Sequence, residues 1–339
     1  MIKMITREDS KNRMEYIDFL KFIGLTCIII AHVNPPEWLF FLRNFDVPLM
    51  VVISAILGEK SFQKQKRKNS HYIEFYMNRI KRLVFPTWIF LTIYFLLLLF
   101  VGNVYSREYY VYSFLLTRYG IGYVWIILIY VYSALWVPLC DKIAVYKYSK
   151  VIIAVIYFIY ELMYSLQIAM DSKLFYSTFY TIIPYGLLTY LGFNYSRFSK
   201  KAKNTIIVVA AVAFLICGVF CWIKYGAFRD VQIAKYPPRI YYLSYGILVT
   251  FLLLRICEKA KLKIYKSRIV LFTSQHSMWL YLWHILALYI YERLSLTGVW
   301  IVKFVFAILF SVIMVVAVNA LLDTIDKKKR CRFLNYLRY

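Results

Sequence analysis

Ten apolar stretches, each close to 20 residues long, constrain this 339-residue chain more than any other feature. They lie near 17–36, 38–58, 83–102, 121–140, 151–170, 178–195, 204–223, 240–257, 269–290 and 299–322. A helix needs about 20 mostly apolar residues to cross a hydrocarbon core of about 30 Å, so the pattern predicts an all-α polytopic membrane protein of about ten transmembrane helices. Composition agrees, with 62% hydrophobic and 17% charged residues. A soluble domain averages about 45–50% apolar and about 25% charged. Too little polar surface remains to cover a globule in water, which excludes an ordinary soluble enzyme.

The charge between the stretches sets their direction. The chain carries a formal net charge of +25, and short cytoplasmic loops collect Lys and Arg. With the N-terminus inside, 31 of the 42 basic residues fall in inner segments and eight in outer ones. Both termini are therefore expected in the cytoplasm. The excess reads as loops beside anionic lipid, not as a nucleic-acid surface. No small-residue cleavage site follows the first apolar run, so that span is expected to be retained. The organisation predicted is a cytoplasmic segment 1–16, one membrane domain of ten helices over 17–322, and a basic tail 323–339.

Ionisable groups inside a span cost about 2.5 to 3.5 kcal/mol each on insertion scales and tend to mark a pathway or a site. The first span holds Asp18, Lys21 and His32. Lys21 and His32 are eleven residues apart, which on a regular helix puts them on one face, about 16 Å apart along the axis. Counting rise per residue also brings His32, Asp46 of the second span and His284 of the ninth to about one level, past the midplane. A lone membrane histidine can simply bond a neighbouring helix, and Asp46, two residues before Pro48, can equally be a local cap or kink residue. His71 and His276 read as solvated or interfacial. No two histidines have the i, i+4 spacing of a metal motif, and the six cysteines read as small buried hydrophobes, so no metal is expected. At the cytoplasmic end of the third span, Arg79 and Arg82 at i, i+3 offer guanidinium forks that suit phosphate oxygens, although a basic collar at an inner helix end looks the same.

These residues carry a resemblance. Arg13-Met14-Glu15-Tyr16-Ile17-Asp18-Phe19-Leu20-Lys21, then ten residues, then His32, is similar to the first-helix signature of the integral-membrane acyltransferase family 3. That family includes O-acetyltransferases of O-antigen, capsule and peptidoglycan. Phe45-Asp46-Val47-Pro48-Leu49-Met50 with Ser54, Arg79-Ile80-Lys81-Arg82 through Pro86, and Ser277 through Tyr281 to His284 resemble its later segments. Two departures stand out: Lys21 replaces the usual Arg, and Ser54-Ala55-Ile56 replaces Ser-Gly-Phe, which removes a glycine that permits close helix approach.

The resemblance implies transfer of an acyl group, most often acetyl, from cytoplasmic acyl-coenzyme A to a hydroxyl of a surface or lipid-linked glycan, in a bacterial cytoplasmic membrane. Donor phosphates would dock at Lys21, Arg79 and Arg82. His32 would act as general base or transient acyl acceptor, Asp46 would orient it, and His284 would stabilise the oxyanion or orient the acceptor. The outer segment with Tyr236, Arg239 and Tyr241 is a weaker acceptor candidate, since an interfacial aromatic belt gives the same pattern. A transporter or flippase using the buried His and Asp as a proton relay is the competing expectation.

Overall fold

The computed structural model describes residues 14–68, 72–260 and 262–329. Arg13, His71, Cys331 and the outer parts of the two expected terminal segments lie outside the described residues. Among those described, the chain is helical without a strand: α1 Glu15–Ala31, α2 Glu37–Leu42, α3 Asp46–Lys66, α4 Tyr72–Phe100, α5 Arg107–Phe114, α6 Trp125–Ala144, α7 Ser149–Ser165, α8 Lys173–Phe193, α9 Lys200–Tyr225, α10 Ile240–Ala260, α11 Arg268–Gln275, α12 Ser277–Arg293 and α13 Trp300–Lys329.

Local chemistry sets several boundaries. Ser106, Ser172, Ser199 and Ser267 each accept a hydrogen bond from the amide three residues on, opening α5, α8, α9 and α11. A serine oxygen there satisfies an amide that has no partner within the helix. Gly226 ends α9 in the left-handed region at φ 69°, where a glycine carries no Cβ penalty.

Each expected span overlaps helix, and among the described residues six stretches are long and apolar enough to cross a membrane: Glu37–Lys66, Tyr72–Phe100, Gly122–Ile143, Lys200–Tyr225, Ile240–Ala260 and Trp300–Ile325. The helices α1, α7 and α12 have 17 residues each, which at 1.5 Å per residue reaches about 25 Å. Tyrosine and threonine dilute α8. The expected ninth span is two helices, α11 and α12, that meet at His276.

Burial sorts the helices into layers. The apolar windows of Glu37–Lys66 and α10 are 67% and 61% buried, whereas those of α9 and α13 are 11% and 17% buried. Val208, Val209, Leu215 and Phe220 on α9, and Leu309, Ile313 and Val316 on α13, are exposed. Helices apolar on every face need an apolar solvent outside, so this is a multi-pass membrane protein with α9 and α13 at its lipid face. The core joins α1, α3, α6, α10 and α12 through residues such as Ile29, Val52, Ile129, Phe251 and Leu282.

The glycine missing beside Ser54 is supplied from across the interface. A Cβ at Gly192 of α8 would lie 2.7 Å from Ala55 Cβ and 2.5 Å from the Val52 carbonyl oxygen. The close approach of α3 to α8 is permitted by Gly192 opposite Ala55.

Candidate active site

The face shared by Lys21 and His32 turns inward. His32 caps the C-terminal end of α1, and its Nδ1 lies 2.9 Å from Nε2 of His284 on α12. The two rings are nearly parallel, 5.1 Å between centroids. His284 is fully buried, and its Nδ1 meets the Tyr281 carbonyl oxygen one turn earlier. That carbonyl assigns the protons. An oxygen that only accepts requires Nδ1–H on His284, which leaves His284 Nε2 as an acceptor in a neutral ring. His32 Nδ1 must then donate, and His32 Nε2 is left with an open lone pair. The edge of Tyr123 closes on His32 at 4.6 Å between centroids, and the Tyr281 hydroxyl donates to the Tyr123 carbonyl.

A cavity of about 190 Å³ approaches this pair through Tyr281, and neither histidine is part of its wall. Its walls come from α1, α3, α4, α6 and α12; Lys21 and Arg79 lie at one end and Tyr281, whose ring centroid is 4.7 Å from that of His284, at the other. Arg79 rests over the Phe75 ring and forms no ion pair within 4 Å among the described residues. Lys21 Nζ donates to the Ser274 carbonyl at 2.7 Å, and the Ser274 hydroxyl donates to buried Asp18, tying α1 to α11. Arg82 is exposed and is not part of the cavity wall. Ser54 and Ser277 are part of it.

Asp46 is not placed to orient His32. Its Oδ2 takes the Arg43 guanidinium at 3.1 Å and its Oδ1 takes the Val47 amide at 2.6 Å, with both side chains buried. The group that bonds the His32 ring is His284. The R-x-x-D spacing of Arg43 and Asp46, one helical turn, is the sequence signal that identifies this pair. Arg43 and Lys235 lie within electrostatic reach of His32.

The outer aromatic segment divides. Tyr236 lines a second cavity. Arg239 instead holds Glu161 on α7 through Nε at 2.9 Å and a terminal nitrogen at 2.8 Å, and the buried Tyr241 donates to the Arg229 carbonyl. Those two are structural staples. His276 stacks on Phe272 and bonds its carbonyl where α11 meets α12. Among the described residues no group of three His, Cys, Asp or Glu could hold a metal ion.

The chain matches no curated protein and no solved structure. The acyltransferase domain of acyltransferase family 3, by contrast, matches residues 14–321, a range that contains the histidine pair, the cationic end of the cavity and every helix that builds them. The chain belongs to acyltransferase family 3, and membrane acyl transfer is the class of chemistry that this family suggests.

Proposed function

We propose that this protein moves an acyl group, most often acetyl, from cytoplasmic acyl-coenzyme A to a hydroxyl of a glycan on the outer side of a bacterial cytoplasmic membrane, with ten membrane-crossing helices and both termini inside. The observation that carries this reading is the cavity that runs from Arg79, which has no ion pair among the described residues, to Tyr281, whose ring packs against His284 of the His32–His284 pair. Arg79 and Lys21 suit the donor's phosphates, because charged forks and ammonium groups bind such oxygens strongly. The thioester would extend along the apolar walls of Leu25, Ile28 and Met50 toward Tyr281.

His32 Nε2 is the base in this scheme. It takes the proton of the acceptor hydroxyl as that oxygen bonds to the thioester carbonyl carbon. The charge gained by His32 is shared through Nδ1–H with His284 Nε2, whose own Nδ1–H is held by Tyr281. The carbon–sulfur bond then breaks, and the departing thiolate takes the proton from Nε2. Free coenzyme A leaves and His32 returns to its neutral form. A positioned base of this kind contributes about 10²- to 10⁴-fold.

The test is release of free coenzyme A from acetyl-coenzyme A by the purified protein in detergent, with and without a cell-envelope glycan. Glycan-dependent release, with acetyl recovered on the glycan, is the expected result. A protein that binds or moves the glycan without consuming donor would be a transporter, and the proposal would fall.

A further inference from the structure

Thr117, Arg118, Trp125, Tyr176, Lys235 and Tyr236 belong to the wall of a second cavity, of about 30 Å³. It is built where the connection after α5, the helices α6 and α8 and the loop before α10 converge. Trp125 is two residues from Tyr123, whose edge covers His32. Lys235 of its wall lies within electrostatic reach of His32, and this cavity shares no wall residue with the first one.

Both of its cations lack carboxylate partners. Neither Arg118 nor Lys235 forms an ion pair within 4 Å among the described residues. The carboxylates that act on Lys235, Asp46 and Asp230, are engaged elsewhere. Asp46 holds Arg43, and Asp230 Oδ1 accepts from Asn44 at 2.8 Å and from the Gln232 amide at 2.8 Å. Lys235 is only 4% exposed, and burial pushes its ammonium down to about 8. Such a group gains from an arriving anion, because burying a charge without a partner is costly.

Aromatic faces surround the two cations. The Arg118 guanidinium lies 4.5 Å from the Tyr176 ring centroid and 5.4 Å from that of Tyr236. Lys235 Nζ is 5.9 Å from Trp125 and 5.7 Å from Tyr236. A water needs about 10 to 15 Å³ of such space, so the enclosed volume holds two waters or one carboxylate-sized group, but no sugar ring.

We propose that this cavity reads the charge of the acceptor, which is an anionic saccharide whose carboxylate or phosphate sits between Lys235 and Arg118 while its ring stays outside the cavity, against the exposed Tyr236. The inference rests on the acyl-transfer reading for the identity of the acceptor, but its test needs no donor. Binding of three probes to the purified full chain decides it: a glucuronate-terminated disaccharide, the same disaccharide with its carboxyl reduced to the alcohol, and a glucose phosphate.

The wild-type protein should bind the glucuronate or the phosphate probe at least about tenfold more tightly than the neutral one, the scale of one or two hydrogen bonds to a charged group. Which anion binds more tightly identifies the group recognised. Lys235→Met and Arg118→Gln should each bring the ratio to within about twofold, and Lys235→Arg should keep it. Arg118 is exposed, so its variant decides the matter if Lys235→Met does not fold. Equal binding of all three probes by wild type, or an unchanged ratio in both variants, overturns the proposal. Equal acetylation of acidic and neutral acceptors would refute the charge reading alone, whereas absence of any donor consumption would refute acyl transfer and leave this binding result standing.

Discussion

His32 Nδ1 and His284 Nε2 meet at 2.9 Å although 252 residues separate them in the chain. Because the Tyr281 carbonyl fixes the His284 proton, His284 acts through His32 in the proposed mechanism. Removing the base should therefore cost the full catalytic factor, about 10²- to 10⁴-fold in turnover for His32→Ala, with acetyl-coenzyme A binding retained. His284→Ala should cost less. The double variant should be no slower than His32→Ala, since groups that act as a unit are not additive. A double variant slower by the product of the two single losses would mean that the histidines act separately.

Asp46 separates a structural role from a catalytic one. Its carboxylate is the partner of an arginine that is only 3% exposed, and breaking a buried pair by removing one member costs about 3 to 5 kcal/mol. Asp46→Asn should appear as a lowered thermal midpoint in detergent, with turnover per folded molecule close to wild type. Normal stability combined with a large loss of turnover would return Asp46 to the reaction centre.

Arg79 and Arg82 should behave differently, because one lines the cavity proposed for the donor and the other is exposed outside it. Arg79→Ala should raise KM for acetyl-coenzyme A by about tenfold or more, in line with loss of a charge-assisted contact. It should matter far less for acetyl-pantetheine, which lacks the nucleotide phosphates. Arg82→Ala should change KM little. Equal losses for both donors would place Arg79 away from the phosphates.

Orientation is tested by labelling. In a background without native cysteines, cysteines placed at Lys66 and Ala260 should be shielded from a membrane-impermeant thiol reagent in intact cells, while one at Ser295 should react. Labelling at Lys66 in sealed cells would reverse the topology.

The parts of this site that were legible in the sequence are those set by helical repeat. The stripe from Lys21 to His32 and the common level of His32 and His284 follow from rise and rotation per residue, and the structure brings those histidines together. For Asp46 the sequence left a site role and a local role open, because depth along a helix does not say which neighbour a carboxylate chooses. Arg43 lies one turn away on the same segment and takes it. Arg118 and Lys235 could not be read at all. They sit in connections between helices, where no periodicity fixes the direction of a side chain, and they meet across more than 100 residues of chain only after α6, α8 and α10 have packed.

The last prediction concerns pH. Burial holds the Lys235 ammonium at about 8, well below the ordinary value of 10.5. The charges facing it are Asp46 and Asp230, which favour the ammonium, and Arg43, which opposes it; the rings of Trp125, Tyr236 and Tyr242 flank it. Affinity for the glucuronate probe should be flat below about pH 7 and weaken above about 8, approaching tenfold per further pH unit as the ammonium is lost. The neutral probe should show no such trend. Stability runs the other way: between about 8 and 10.5 the unfolded chain holds the Lys235 proton that the folded chain has released, so this group makes folding more favourable as pH rises. Alkaline loss of the acidic probe is therefore not unfolding driven by Lys235. Lys235→Arg keeps its charge throughout this range and should abolish the alkaline loss. A wild-type dissociation constant that stays constant from pH 7 to about 9.5 would show that Lys235 does not hold the anion.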